Sequence, residues 1–170
     1  MVVAARDGTV TFERFFRDEY PRLVPMLHAL TGDRQRAEDL AQEALAKAQQ
    51  DWPRVSTLDR PGAWVRRVAL NASSNVRRRR GREAAALHRV GQGPAAVDVP
   101  ADADPELWRL VRRLPEQQRW AVVLFYVEDR ALADVAAVLG CSEGAVKTHL
   151  SRARATLARH LTDARKEASS

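Results

Sequence analysis

Apolar residues recur at helical spacing along most of the chain, and no segment shows the sustained alternation of apolar and polar residues that marks a strand. The pattern therefore predicts an all-α fold. Pro21 and Pro25 fall within the first helical region, Phe12 to Thr31, so we expect that helix to break near Tyr20. Further helices are predicted over 33–51, 61–82, 104–114, 115–127, 131–140 and 142–163.

Residues 83–103 interrupt this periodicity. They contain the stretches GQGP, DVP and ADADP, which are rich in turn-forming residues. We interpret them as a flexible linker between two small helical domains. The predicted organisation is a disordered N-terminus over 1–11, domains over 12–82 and 104–163, and a frayed tail over 164–170.

The strongest signal lies between Ala131 and Leu161. A short apolar helix ends at Gly140, which tolerates the left-handed conformation that closes a helix. Ser142 is then placed to cap a longer helix. Two helices across so short a turn predict a helix-turn-helix, whose second helix enters the DNA major groove.

The second helix of this motif divides into two faces at about 100° per residue. Its apolar stripe comprises Val146, Leu150, Ala153, Leu157 and Leu161. The opposite face carries Thr148, Ser151, Arg152, Ala155 and Arg159, with Lys147 and Arg154 on its flanks. Hydroxyls and cations of this kind reach phosphates and base edges, although a solvated basic face is the plainer interpretation.

Charge and composition narrow the function classes. The formal net charge is +6, 25 of the 28 cations are arginine, and seven arginines but no acids lie between Arg66 and Arg82. This bias suits nucleic acid, because arginine binds phosphate and guanine in a bidentate manner. No apolar segment is long enough for a signal peptide or a membrane span, so we expect a cytoplasmic protein without membrane insertion. The single Cys141 is interpreted as a small packed thiol rather than a redox sensor.

The helix over 33–51 has an unusual outer face for a basic chain. Its buried stripe is built mostly from alanines, whereas Asp39, Gln42 and Glu43 point outward. An acidic face repels DNA and suits a basic protein partner, but an ordinary solvated face has the same pattern.

Several segments together resemble a known family. The first domain contains LTGDRQRAEDLAQEAL and RPGAWVRRVALNASSNVRRRR, and the second contains LPEQQRWAVVLFYVED and ADVAAVLGCSEGAVKTHLSRARATL. In this order they resemble the two-domain bacterial sigma factors of the extracytoplasmic-function group. The resemblance implies that the first domain binds RNA polymerase core and opens the promoter minus-ten element, and that the second reads the minus-thirty-five element. It also implies an anti-sigma protein as a partner.

The resemblance assigns roles to individual residues. Core docking falls to Asp39, Gln42 and Glu43. Minus-ten contacts fall to Arg66, Arg67, Asn71, Ser74, Arg77 and Arg78. Minus-thirty-five contacts fall to Lys147, Thr148, Ser151 and Arg152, with phosphate contacts from Arg119 and Arg154.

Some positions stay open. Trp64 is expected in the core rather than beneath a stacked base, while Asn71 and Asn75 suit either a structural or a base-contacting role. In the family, the loop equivalent to 53–60 accepts a flipped base. Ala131 and Ala145 stand where the family usually has hydroxyl residues, so a helix cap worth about 1 kcal/mol is missing at Ala131.

Two other function classes compete with this interpretation. A free-standing helix-turn-helix regulator would bind its DNA site without polymerase. A metal-dependent helical enzyme would need a ligand cluster, but Glu38 and Asp39 diverge around their helix and the four histidines show no ligand spacing. We therefore expect no enzyme activity, no metal and no cofactor.

Overall fold

The computed structural model describes residues 10–87 and 104–167, and they form two helical units. The first unit contains α1 (Phe12–Thr31), α2 (Arg34–Gln50), the short α3 (Trp52–Val55) and α4 (Pro61–Leu87). The second contains α5 (Pro105–Arg113), α6 (Glu116–Val122), a π-helical segment (Val123–Val127), α7 (Leu132–Leu139) and α8 (Glu143–Glu167). The predicted all-α fold is confirmed. The expectations for residues 1–9, 88–103 and 168–170 lie outside the described residues.

Helix α1 is continuous, so the predicted break near Tyr20 is wrong. Pro21 and Pro25 are four residues apart and both lie on the solvent side of the helix. Water can therefore hydrate the carbonyls that lose their hydrogen bonds there. The opposite face keeps Leu23, Met26 and Leu27 fully buried across both prolines. Packing of that face holds the helix together where local propensity disfavours it.

Most predicted helix ends are confirmed by their hydrogen bonds. Gly32 takes a left-handed φ of 68° and closes α1. Asp33 Oδ1 accepts the Arg36 backbone N–H at 3.0 Å to cap α2, and Asp104 Oδ1 accepts the Glu106 N–H at 2.9 Å to cap α5. These short-range signals are readable in sequence because each cap needs only residues two or three positions away.

The alanine-rich stripe of α2 forms the centre of the first unit. All six of its predicted members are buried: Ala37, Leu40, Ala41, Ala44, Leu45 and Ala48. Small side chains let α1 and α4 approach α2 closely, and both pack against it. The predicted loop after α2 differs, because its start is folded into α3. Trp52 there packs against Phe12 and Phe15 with ring centroids 5.5 and 5.0 Å apart.

Three helix boundaries extend or change the predicted ones. Helix α4 continues to Leu87, into the region predicted as linker. Helix α8 reaches Glu167, beyond the point where fraying was expected. The predicted helix from Pro115 widens into a π-helical turn after Val122, with the Glu128 backbone N–H donating to Val123 O.

The two units pack against each other. The prediction of two domains joined by a flexible linker did not include this contact. Helix α1 contacts both α5 and the π-helical segment, and α4 contacts α7. Their buried apolar side chains form one continuous cluster. The surface of α4 that faces the second unit is consequently removed from solvent.

Candidate nucleic-acid interface

The helix-turn-helix has the predicted geometry. Gly140 has a φ of 67° and its backbone N–H donates to Ala136 O at 2.8 Å, which closes α7. Ser142 Oγ accepts the Ala145 N–H at 3.1 Å, which caps α8. Ala131 makes no side-chain cap, yet α7 still begins at Leu132. The missing hydroxyl at Ala131 therefore leaves the start of that helix unchanged.

The two faces of α8 also match the prediction. Val146, Leu150 and Ala153 are buried, and Leu157 is partly buried against the same core. The residues assigned to the minus-thirty-five element are all exposed: Lys147, Thr148, Ser151 and Arg152. Thr148 Oγ1 donates to Gly144 O at 3.0 Å within its own helix. The exposed Arg154 donates to the Tyr126 hydroxyl at 3.1 Å. This face therefore presents hydroxyls and cations to solvent on a rigid helix.

Helix α4 divides into a covered half and an open half. The minus-ten candidates Asn71, Arg77 and Arg78 are exposed, and Arg78 Nη2 donates to the open Asn75 side chain at 2.6 Å. Arg66 and Ser74 are buried instead. The resemblance assigns both to the minus-ten element, but the structure does not present them to solvent, whereas Arg67 is exposed. Their contact with DNA stays a prediction, and for Arg66 it requires the units to separate.

Arg66 lies at the centre of a buried ion pair that joins the two units. Its side chain is 0% exposed, and it binds Glu128 of the second unit, whose side chain is 4% exposed. Arg66 Nε donates to Glu128 Oε2 and Nη2 donates to Oε1, both at 2.8 Å. Arg66 Nη1 donates to Glu19 on α1 and to Gly62 O. Burial lowers the pKa of Arg66, but the hydrogen bonds and charges of Glu128 and Glu19 outweigh it, so the pKa is raised.

Arg67 makes a second contact across the same boundary. Its Nε donates to the carbonyl of Val138 in α7 at 2.9 Å, and its guanidinium lies directly against Gly140. Next to it, Arg60 Nη1 pairs with Asp134 Oδ1 at 2.8 Å. Glu19, Glu128 and Asp134 were not singled out from the sequence. No periodicity marks them, since their partners lie 47 to 74 residues away.

The predicted docking face of α2 is open to solvent. Asp39, Gln42 and Glu43 are all exposed, as expected. Gln35 Nε2 donates to Asp39 Oδ1 at 3.2 Å, and Lys47 pairs with Glu43 at 2.7 Å. Both pairs are exposed and lie within one helix. Breaking them to bind a partner protein therefore costs little free energy. The face lies on a helix whose other side is fixed in the core.

Three other residues that the sequence analysis singled out are buried or partly buried. Arg119, predicted to hold a phosphate, is 5% exposed and donates to Leu114 O at 3.0 Å. Its contact with a phosphate stays a prediction. Trp64 packs partly buried against the core, and Arg54 stacks over its ring at 5.6 Å. Cys141 is half-buried against the core.

Two features are absent from the part of the chain that the structure describes. Across residues 10–87 and 104–167, His, Cys, Asp and Glu side chains form no group of three that could hold a metal ion. Within the same residues, no helix is both long and apolar enough to cross a membrane.

Comparison with known proteins decides the family. The family described as Sigma-70 region 2 matches residues 15–83, and Sigma-70 region 4 matches residues 105–157. The chain belongs to the sigma-70 family. It is 31% identical over 154 residues to the ECF RNA polymerase sigma factor SigM of Mycobacterium tuberculosis, covering 88% of this chain and 76% of SigM. This relationship places it in the extracytoplasmic-function group.

Two further similarities extend the comparison. A probable RNA polymerase sigma factor, RfaY of Xanthomonas campestris, is 32% identical over 146 residues. That alignment covers 78% of this chain but only 36% of RfaY. The solved sigma factor RpoE of Bartonella quintana, in complex with the anti-sigma factor NepR, superposes with a TM-score of 0.70 at 26% identity. The superposition covers 89% of this chain and 96% of RpoE.

Proposed function

We propose that this sigma factor acts as a promoter-specificity subunit of RNA polymerase, with one function on each of three surfaces. The acidic face of α2 binds the core enzyme, α4 holds the minus-ten element, and α8 reads the minus-thirty-five element. The observation that carries the proposal is the exposed polar face of α8 on a capped helix-turn-helix, in one chain with the exposed arginines of α4. Two separate nucleic-acid surfaces suit a bipartite promoter better than a single operator site.

The proposed roles on α8 follow from position along the helix. The N-terminal residues of a recognition helix contact base edges, and Lys147, Thr148, Ser151 and Arg152 occupy the first half of α8. Arg154 sits on the flank, where it suits a phosphate. The arginines of α4 supply charge for the DNA backbone, which gives affinity and salt dependence without fixing sequence.

Run-off transcription on genomic fragments with purified core polymerase tests this function. We expect start-site-specific transcripts only when core and this chain are both present. Arg152→Ala is expected to lower promoter discrimination by about 1–3 kcal/mol. Arg159→Ala, two turns farther along the same face, is the matched control and should change it much less. Transcripts that do not depend on the chain would contradict the proposal.

Binding to duplex DNA separates this function from the free-standing regulator. A regulator binds a specific site alone, whereas a sigma factor is expected to need core polymerase for specific binding. Tight, sequence-specific binding without polymerase would favour the regulator. A double variant, Asp39→Arg with Glu43→Arg, tests the docking face. We expect it to lose affinity for core polymerase. Asp18→Arg, at an exposed acid on α1, is its control.

We further propose an anti-sigma protein as a physiological partner. The support is the similarity to RpoE of Bartonella quintana, which was solved bound to an anti-sigma factor. Affinity purification from the native host should return both polymerase subunits and an inhibitor that competes with them. Recovery of polymerase subunits with no competing protein would count against this partner.

A further inference from the structure

A cleft of about 310 Å³ lies between the two units and carries a concentrated positive charge. Seven arginines line it, three from the first unit and four from the second, and its lining includes no aspartate or glutamate. Within the described residues, none of these seven arginines forms an ion pair. Charges gathered in this way repel one another, and an anion that enters the cleft relieves this repulsion.

Several guanidinium groups in the cleft donate to backbone carbonyls, and some of their nitrogen atoms have no acceptor among the described residues. Arg119 donates to the carbonyls of Leu114 and Arg112, and Arg77 of α4 donates to the same Arg112 carbonyl. Arg36 Nε and Arg112 Nη2 are buried without a hydrogen-bond partner among the described residues. Buried donors are normally satisfied, so these atoms indicate a missing acceptor.

The pKa values of the same side chains report the uncompensated charge. Burial lowers the pKa of Arg36, Arg112 and Arg119, and for Arg119 the value falls to about 10. In each case the second cause is a neighbouring arginine, such as Arg77 beside Arg119. Acids act more weakly and from outside the cleft. Asp33, Asp39 and Glu83 offset part of the effect on Arg36, and Glu116 part of that on Arg119.

Arg66 shows how this fold treats a buried arginine with a structural role. It is held by two carboxylates, and its pKa is raised rather than lowered. Among the described residues, the arginines of the cleft have no such carboxylates. The contrast points to a ligand as the source of their counter-charge.

We propose that the cleft binds a compact, multiply charged phosphate anion, held by guanidinium groups from both units. Guanidinium forks match phosphate oxygens, and the volume is that of a small-ligand pocket, not of a groove for duplex DNA. Because both units supply ligands, the anion stabilises their packed arrangement. Binding to the folded state alone also raises the melting temperature. Covering Arg77 in this way competes with its proposed role on the promoter.

Calorimetric titration of the full chain with inorganic triphosphate tests the proposal, with monophosphate and ATP at matched ionic strength as comparisons. We expect saturable binding of triphosphate at least about ten-fold tighter than monophosphate, and a higher melting temperature. ATP binding tighter than triphosphate would identify a nucleotide as the ligand, and equal binding would identify the phosphate chain alone. Both results support the site, and neither depends on polymerase.

Matched variants locate the binding. Arg77→Gln and Arg113→Gln, one from each unit, are each expected to weaken triphosphate binding about ten-fold. Arg82→Gln, on α4 but outside the cleft, should leave it unchanged. The proposal is overturned by an absence of saturable binding or by equal affinity for monophosphate and triphosphate. An equal loss in Arg82→Gln, or binding of single-stranded DNA but not of triphosphate, would overturn it as well.

Discussion

Helices α4 and α8 are both basic, both amphipathic and both proposed to bind DNA, yet the fold presents them differently. The polar face of α8 is open, and Lys147, Thr148, Ser151 and Arg152 are all exposed. The first half of α4 is covered by the second unit, which holds Arg66 and Arg67. Arg66 is fully buried there, whereas Arg67 and the later arginines of α4 keep exposed side chains. In this arrangement the proposed minus-thirty-five surface is exposed, whereas part of the proposed minus-ten surface is covered within the chain.

The difference shows which parts of a fold can be derived from local sequence. The partners that bury α8 are α5, α6 and α7, all from its own unit and all close to it in sequence. Its buried and exposed faces were therefore predictable from periodicity. The partner that covers α4 lies about 60 to 70 residues away, across residues 88–103. The resemblance assigned Arg66 to the minus-ten surface, and nothing nearby in sequence indicates that Glu128 binds it.

The largest expected effect comes from breaking the ion pair across the units. Glu128→Gln leaves Arg66 buried without its bidentate carboxylate, and we expect it to lower the free energy of unfolding by about 3 kcal/mol. Urea denaturation measures this change. The expansion of the molecule in small-angle X-ray scattering measures the accompanying separation of the units.

Two variants control that experiment. Glu106→Gln, at an exposed acid in α5, should change stability by less than about 0.5 kcal/mol. Replacing both partners, Arg66→Met with Glu128→Leu, should recover part of the loss, because no fully buried charge is left, although Glu19 and Arg130 each lose an ion-pair partner. A Glu128→Gln protein as stable as the parent would show that this contact does not hold the units together.

Substitution of Gly140 tests both its left-handed backbone conformation and its contact with Arg67 of the first unit. Gly140→Ala places a side chain at a φ of 67°, directly against the Arg67 guanidinium. We expect a loss of about 1–3 kcal/mol in thermal or urea unfolding. Removing the obstructing side chain with Arg67→Ala should restore part of it.

Gly81 provides the opposite case. It lies in the exposed part of α4, and a Cβ there would meet nothing within 4 Å. Gly81→Ala should therefore stabilise the chain by about 0.5–1 kcal/mol, through helix propensity. If both alanine variants shifted stability in the same direction, the structural account of Gly140 would be wrong.

Effects of similarly small size concern the caps of the helix-turn-helix. Ser142→Ala removes the hydrogen bond to the Ala145 N–H and should cost about 1 kcal/mol. Ala131→Ser adds a hydroxyl where α7 lacks a side-chain cap and should contribute a similar amount with the opposite sign. Differential scanning calorimetry of the two variants measures both. A neutral Ser142→Ala would show that the turn does not depend on this cap.

Other mispredictions have the same origin as that of Arg66. The prolines of α1 are tolerated because long-range packing fixes the buried side, and α3 forms because Trp52 has aromatic partners from α1. Caps such as Asp33 and Ser142 depend on neighbours two or three residues away and were correctly predicted. The functional residues show the same division. The exposed candidates on α2 and α8 were predicted from the sequence, but the acids that bind Arg66 were not.

The central claim is that the second unit covers part of α4 in the isolated chain and leaves it when the promoter is bound. Double electron–electron resonance measures the separation of the two units directly, with spin labels at Gln50→Cys and Arg159→Cys in a Cys141→Ser background. We predict one narrow distance for the isolated chain, replaced by a longer one when core polymerase and promoter DNA are added. A distance that stays the same in the complex would contradict the account.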